Sequence, residues 1–139
     1  MKLVLDSNVI IAAFAARGLC YSLLESCLYE HTIFLDNNLL NEVSTKLRTK
    51  IKIPDQLLNE IISFLKSHAQ IISPLPLEER VSRDRNDDKI ISFAISAQSD
   101  FIISGDNDLL VLKRYQSIPI LSPRDFWNIL QQQKERFSK

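Results

Sequence analysis

The sequence predicts an α/β domain with a mainly parallel central sheet covered by helices on both faces. Three observations carry this. Short apolar runs of strand length recur along the chain, helix-start residues follow most of them, and helical periodicities fill the stretches between. The first run, Lys2-Leu3-Val4-Leu5, ends on Asp6-Ser7-Asn8, which cap helices, and Val9, Ile10, Ile11, Ala12 and Ala13 continue as a helix. A second helix fits Tyr21 to Glu30. Thr32 to Leu35 is the next strand, Asp36-Asn37-Asn38 the next cap, and Leu39, Leu40, Val43 and Leu47 the buried face of the helix after it. Pro54 suits the first position of a further helix, with Leu57, Ile61, Phe64 and Leu65 turned inward. Gln70 to Ile72 is a short strand, after which Pro74 and Pro76 hold the chain extended. Asp87 begins a helix that buries Ile90, Ile91, Ala94, Ile95 and Ala97. Phe101 to Ser104 is a strand, Gly105-Asp106-Asn107 a turn, and Asp108 the cap of a short helix through Leu112. Ile118 to Leu121 is the last strand, and Ser122-Pro123-Arg124-Asp125 opens the last helix.

Composition narrows the classes of function. At 139 residues the chain suits one domain, residues 1–139, within the usual ~100–150. Hydrophobic residues make up 45%, enough for a packed core. Two glycines are too few for a Gly-rich phosphate loop. No apolar run approaches the ~20 residues that span a bilayer, and the acid at Asp6 interrupts any signal-like start, so no membrane is expected. Cys20 and Cys27 lie at helical spacing among leucines and are expected to pack as apolar residues in a reducing, cytoplasmic setting. Net charge is zero, yet Lys46, Arg48, Lys50 and Lys52 form a basic run, read first as a solvated helix face.

Chemistry is expected beyond the carboxyl ends of the strands, where open parallel sheets place their sites. Asp6 and Asp106 follow two strands, Asp84, Asp87 and Asp88 crowd the start of a helix, and Glu42 lies about one turn into another helix at the same edge. Taken singly, Asp6, Asp87 and Asp106 are helix caps, Glu42 a surface glutamate and Asp88 a partner for an arginine. Caps do not need to converge from four separate segments, and gathered carboxylates repel one another unless a cation joins them. Oxygen donors of this kind suit Mg²⁺ or Mn²⁺, which assist phosphoryl displacement. His31 and His68 lack partners for zinc or for a Ser–His–Asp arrangement, and Phe126 and Trp127 read as core anchors.

The motifs together resemble the PIN-domain family, and within it the toxin components of bacterial toxin–antitoxin pairs, the relatives of VapC. Leu3-Val4-Leu5-Asp6-Ser7-Asn8 is similar to the family's opening, Leu40-Asn41-Glu42-Val43 to its glutamate helix, and Asp84-Arg85-Asn86-Asp87-Asp88-Lys89 to its acidic approach to the central helix. Ile103-Ser104-Gly105-Asp106-Asn107-Asp108-Leu109-Leu110 is close to its "Thr/Ser-Gly-Asp-x-Asp-Leu-Leu", and Ile120 to Phe126 resembles its closing strand and helix. The resemblance implies a three-layer α/β/α PIN-like fold. It also implies one or two Mg²⁺ or Mn²⁺ ions held by Asp6, Glu42, Asp87 and Asp106, with Asp84, Asp88 and Asp108 as outer candidates. Asp87 is preferred to Asp88 because its distance to Ala94 fits the family's spacing; Asn86 stands where many relatives carry another acid. Ser7, Asn8 and Ser104 would support the acids by hydrogen bonding.

The function so implied is metal-dependent cleavage of RNA phosphodiester bonds by a toxin, with an RNA substrate, a cognate antitoxin and a homodimer as its associations. Arg83, Arg85, Lys113 and Arg114 flank the acidic motifs and would grip phosphates. The stretch from Leu57 to Leu65 would serve dimerisation or an antitoxin helix. Two other classes stand beside this one. A non-catalytic PIN module would bind RNA or a protein, and would have no use for four mutually repelling acids. A phosphatase or receiver-like domain would use Asp6 as nucleophile, but Asn8 occupies the place where the haloacid-dehalogenase pattern has a second aspartate.

Overall fold

The apolar runs form one six-stranded sheet, and the order of its strands explains where a site can lie. The computed structural model describes residues 1–73 and 85–137, apart from the side chains of residues 85–88 and 137. The strands are β1 (Lys2–Leu5), β2 (Thr32–Leu35), β3 (Gln70–Ile71), β4 (Phe101–Ile103), β5 (Arg114–Tyr115) and β6 (Ile118–Leu121), in the spatial order β3-β2-β1-β4-β6-β5. Every pairing is parallel except β5 with β6. Between and after them run α1 (Ser7–Ala16), α2 (Leu19–Glu30), α3 (Asn37–Thr49), α4 (Asp55–His68), α5 (Arg85–Ser96), α6 (Asn107–Leu110) and α7 (Pro123–Phe137).

Alternation along the strands sorts side chains into two cores. Leu3, Leu5, Ile33, Leu35 and Ile103 join one cluster with residues of α1, α2, α3, α4 and α7; Val4, Phe34, Ile102 and Ile120 join the other with Ile91, Phe93 and Ala94 of α5. A strand with period two that is buried on both faces must carry a layer of helices on each, so the architecture is α/β/α. Full burial of each such leucine or isoleucine favours folding by roughly 1.5–3 kcal/mol. The two cores therefore fix the registers Leu3↔Phe101 and Leu3↔Ile33, because a one-residue slip would exchange their contents. Among the described residues no single helix is long and apolar enough to cross a membrane; α1 and α2 would pass only as a pair, and they are bent by 114°.

Several boundaries differ from the sequence reading. Pro54 is the residue before α4, with ψ 146, and the helix starts at Asp55. On that helix Leu58 is buried and Leu57 is 45% exposed, because the inward stripe is Leu58, Ile61 and Leu65. The helix expected from Asp87 starts at Arg85. Phe93 is buried while Ile90 and Ile95 are only partly so, since the helix turns a slightly different face to the sheet. Asp106, not Asp108, caps α6. Two-residue β5 was not foreseen; it returns on β6 through Gln116 at φ 53, and its edge pairing is antiparallel. Pro74 and Pro76 lie outside the described residues.

The cysteines pack as expected. Cys27 is fully buried, which pushes its thiol up to about 12, and Cys20 lies half-buried against the same core. Phe126 is completely buried and Trp127 packs partly buried beside it.

Candidate active site

Strand β1 stands between β2, its successor in the chain, and β4, reached only after the chain has crossed the sheet. The chain leaves β1 in one direction and returns on its other side. Open parallel sheets bind ligands beyond the carboxyl ends of the strands at such a switch point, here between β1 and β4, and this edge is the candidate crevice.

Asp6 ends β1 in this crevice and is only 8% exposed. It occupies the residue before α1, the position of a cap, yet its side chain makes no capping hydrogen bond. Instead it accepts from Ser104 Oγ at 2.9 Å (on Oδ2) and faces Ser7 Oγ at 3.5 Å (on Oδ1). Ser104 is fully buried at the end of β4, and its Oγ also accepts the backbone N–H of Asp106 at 3.0 Å. One serine hydroxyl thus ties both strand-end acids together. The Asp6 backbone N–H completes the strap by donating to the Ile103 carbonyl at 2.9 Å.

Burial pushes the Asp6 carboxyl up from its ordinary value of 3.8. The Ser104 hydrogen bond and the nearby Asn8 backbone amide pull it partly back, and the charges of Asp106 and Glu42 raise it further. Of these charges, Asp106 stands in the loop after β4 and Glu42 on α3.

Asp106 is half-buried and accepts the Asp108 N–H through Oδ1 at 2.9 Å, so it caps α6 while facing the crevice. Asp108 lies in the first turn of α6. Glu42 projects from α3 with its side chain 43% exposed, and its Oε1 accepts from Lys46 Nζ at 3.0 Å. Asn8 is exposed. Lys113 and Arg114 are exposed at the entry to β5, Lys113 with φ 61. Arg85, Asp87 and Asp88 fall in the first turn of α5. That helix packs against β1 and β4, and its last turn leads through residues 97–100 into the start of β4. Its twelve residues span ~18 Å, so its first turn returns to the carboxyl edge. Side-chain positions of these three, and all of Arg83 and Asp84, lie outside the described residues.

His31 sits at the opposite edge, before β2, with Nδ1 3.2 Å from the Met1 amine, and His68 stacks exposed on Phe64 at 4.4 Å. Neither reaches the crevice. Lys46, four residues after Glu42, makes the helical ion pair that this spacing favours.

In kind, the donors fit a hard divalent cation: they are carboxylate oxygens, and one is buried among like charges that a cation would relieve. Among the described residues no three Asp, Glu, His or Cys side chains already stand together as a ligand set.

A family model described as "PIN domain" matches residues 2–108, and the chain belongs to the PIN-domain family. No curated protein matches its sequence significantly. Among solved structures nine chains match. One is the crystal structure of VapBC2 from Rickettsia felis bound to a DNA fragment from their promoter. It superposes with a TM-score of 0.60 at 17% identity, over 88% of this chain and 98% of that one. At that identity the likeness is one of fold.

Proposed function

We propose that the protein is a divalent-metal-dependent endoribonuclease acting in the cytoplasm, the toxin of a toxin–antitoxin pair. The observation that carries this is the Ser104 hydroxyl that joins Asp6 to the Asp106 backbone at the switch point of the sheet, in a family whose members are generally nucleases using divalent metals. Asp6, Asp106 and Glu42, with Asp87 or Asp88 from the start of α5, would hold one or two Mg²⁺ or Mn²⁺ ions. When bound, such an ion supplies a more acidic water and charge neutralisation at a phosphodiester. The chain's own part is positional. Ser104 holds Asp6 and the Asp106 backbone in fixed relation, burial of Asp6 excludes competing water, and Lys113 and Arg114, exposed at the entry to β5, would offer positive charge to the RNA backbone.

An antitoxin partner is supported by the VapBC2 fold likeness and by a groove of about 210 Å³ between α1, α2 and α4. Phe14, Tyr21, Leu24 and Phe64 make its apolar lining, and Glu25 and Glu60 its charge. Such a surface suits an amphipathic helix that carries lysine or arginine beside an apolar stripe.

The test is cleavage of a mixed RNA substrate with Mg²⁺ or Mn²⁺ by wild type, Asp6→Asn and Asp106→Asn. Cleavage by wild type alone, stopped by EDTA, supports the reading. If the folded, metal-supplied wild type leaves a broad RNA panel intact, the protein is a non-catalytic module that binds RNA or a protein. Expression of the wild type should also arrest growth, and a co-expressed antitoxin should suppress the arrest. Suppression that survives Glu25→Lys with Glu60→Lys would remove the groove from the partner's footprint.

A further inference from the structure

Tyr21, Glu25 and Tyr29 follow one another on α2 at intervals of four residues, and Glu60, Phe64 and His68 do the same on α4. Residues four apart lie one turn apart on the same helix face, so each helix presents an acid one turn before an aromatic ring. Packing brings the two series together. Glu25, Glu60, Tyr21 and Phe64 line the one groove of about 210 Å³. At Phe64 the groove meets a cluster of rings. Tyr29 stands 6.3 Å from Phe64 and 5.3 Å from His68, steeply inclined to both, and Phe64 lies 4.4 Å from His68. Tyr29 is nevertheless 65% exposed. The other tyrosine of the helix is treated differently. Tyr21 packs against Phe14 at 6.4 Å and has the Arg17 guanidinium 5.5 Å from its ring centroid. Among the described residues the chain supplies no such cation to Tyr29, and neither Glu25 nor Glu60 has an ion-pair partner. Two acids and a preset aromatic cluster thus meet at one end of an apolar groove. A guanidinium suits that combination better than an ammonium, because it is planar, weakly hydrated, and able to stack on a ring while bonding a carboxylate.

We propose that this end of the groove is an arginine subsite, where a partner helix lying in the groove seats one guanidinium on the Tyr29–Phe64 rings beside the carboxylates of Glu25 and Glu60. The proposal rests on the reading of the groove as the antitoxin's docking surface, and it adds the side chain that anchors the partner and the place where it binds. Tyr29 and Phe64 give the contact its area at little entropic cost, since neighbouring rings already hold them. The two acids draw basic helices in general; the rings select arginine among them.

The experiment is calorimetric titration of two synthetic helical peptides, one with a leucine stripe flanked by arginines and its twin with lysine at every arginine position. Each is titrated into wild type, Tyr29→Ala, Tyr29→Phe and the double variant Glu25→Gln with Glu60→Gln. The arginine peptide should bind wild type about 3–5-fold more tightly than its twin, the range a partly exposed cation–ring contact allows. Tyr29→Ala should erase that preference by weakening the arginine peptide alone, and Tyr29→Phe should keep it, because the ring remains. The double variant should weaken both peptides, less so as salt screens the acids. Equal affinity of the two peptides for wild type overturns the arginine subsite, and so does a preference that survives Tyr29→Ala; the groove reading stands in either case. If neither peptide binds wild type, or if both bind the double variant as they bind wild type, the groove is not the docking surface of a basic helix, and this proposal fails with that reading.

Discussion

Two corners of this molecule have almost the same sequence and do different things. Strand β1 ends in Leu5-Asp6-Ser7-Asn8 and strand β2 in Leu35-Asp36-Asn37-Asn38, and each runs straight into a helix. Asp36 behaves as local rules expect: its Oδ1 accepts the Leu39 N–H at 2.8 Å, capping α3. Asp6 holds the same position before α1 without a side-chain capping hydrogen bond of that kind. The difference lies next door. The neighbour of β1 is β4, whose last buried group is the Ser104 hydroxyl, and that donor takes the Asp6 carboxylate. The neighbour of β2 on its outer side is the short edge strand β3, and Asp36 turns to its own helix. An aspartate at a strand end is a cap by default and a site residue when the adjacent strand draws its side chain across.

The contrast can be broken most sharply by activity. Asp6→Asn should lower the rate of RNA cleavage by at least about 100-fold, the scale expected for a metal ligand, while Asp36→Asn, still a good cap, should stay within about 2-fold. Comparable losses in the two variants would show that the corners are not functionally distinct. Next in size is metal binding. Mn²⁺ at about 100 times its dissociation constant should stabilise wild type and Asp36→Asn by roughly 2.7 kcal/mol, read as a rise in Tm, and should leave Asp6→Asn unmoved.

Stability separates the corners further. Ser104→Ala removes the donor to Asp6 and the acceptor of the Asp106 N–H together, and should cost about 1–3 kcal/mol in urea unfolding. Asp36→Ala deletes one cap and should cost about 1 kcal/mol. The smallest effect is the pH dependence of Asp6. Its carboxyl is raised in the folded state, so the folded protein holds that proton more tightly than the unfolded chain does. The ionised form therefore weighs against folding at neutral pH, and the burden lifts as pH falls through the raised value toward 3.8. Asp6→Asn should accordingly melt above wild type at pH 7, with the gap closing in acid. A gap that widens in acid would mean that Asp6 is net stabilising as a carboxylate.

How much of this was legible follows from the range of each interaction. Patterns confined to one segment were readable: the strands at Lys2–Leu5 and Thr32–Leu35, the Asp36 and Ser122 caps, and the buried face of α3. Phase errors of one residue, such as Leu57 for Leu58, arise because both lie beside the apolar stripe and packing against α3 chooses between them. Either aspartate is competent to cap α6, so the sequence alone favours Asp108 wrongly; the Asp106 N–H donates to Ser104 Oγ, and the Asp106 carboxylate accepts the Asp108 N–H. Strand β5 was illegible, since two residues carry no period and owe their conformation to β6. The basic run at Lys46, Arg48, Lys50 and Lys52 looks uniform in sequence, and only folding shows that Lys46 pairs with Glu42 and Arg48 with Asp55.

By itself the sequence determined every element but β5, and the edge at which the strand-end acids lie. Periodicity and capping act within a few residues, and parallel strands joined by helices must all end at the same side. Only the tertiary structure decided that β4 lies beside β1, so that the Ser104 hydroxyl reaches Asp6, 98 positions away, and Asp6 becomes a buried acid. That decision rests on burial of both sheet faces, which rewards one strand order and one register for the whole chain and is encoded in no single segment.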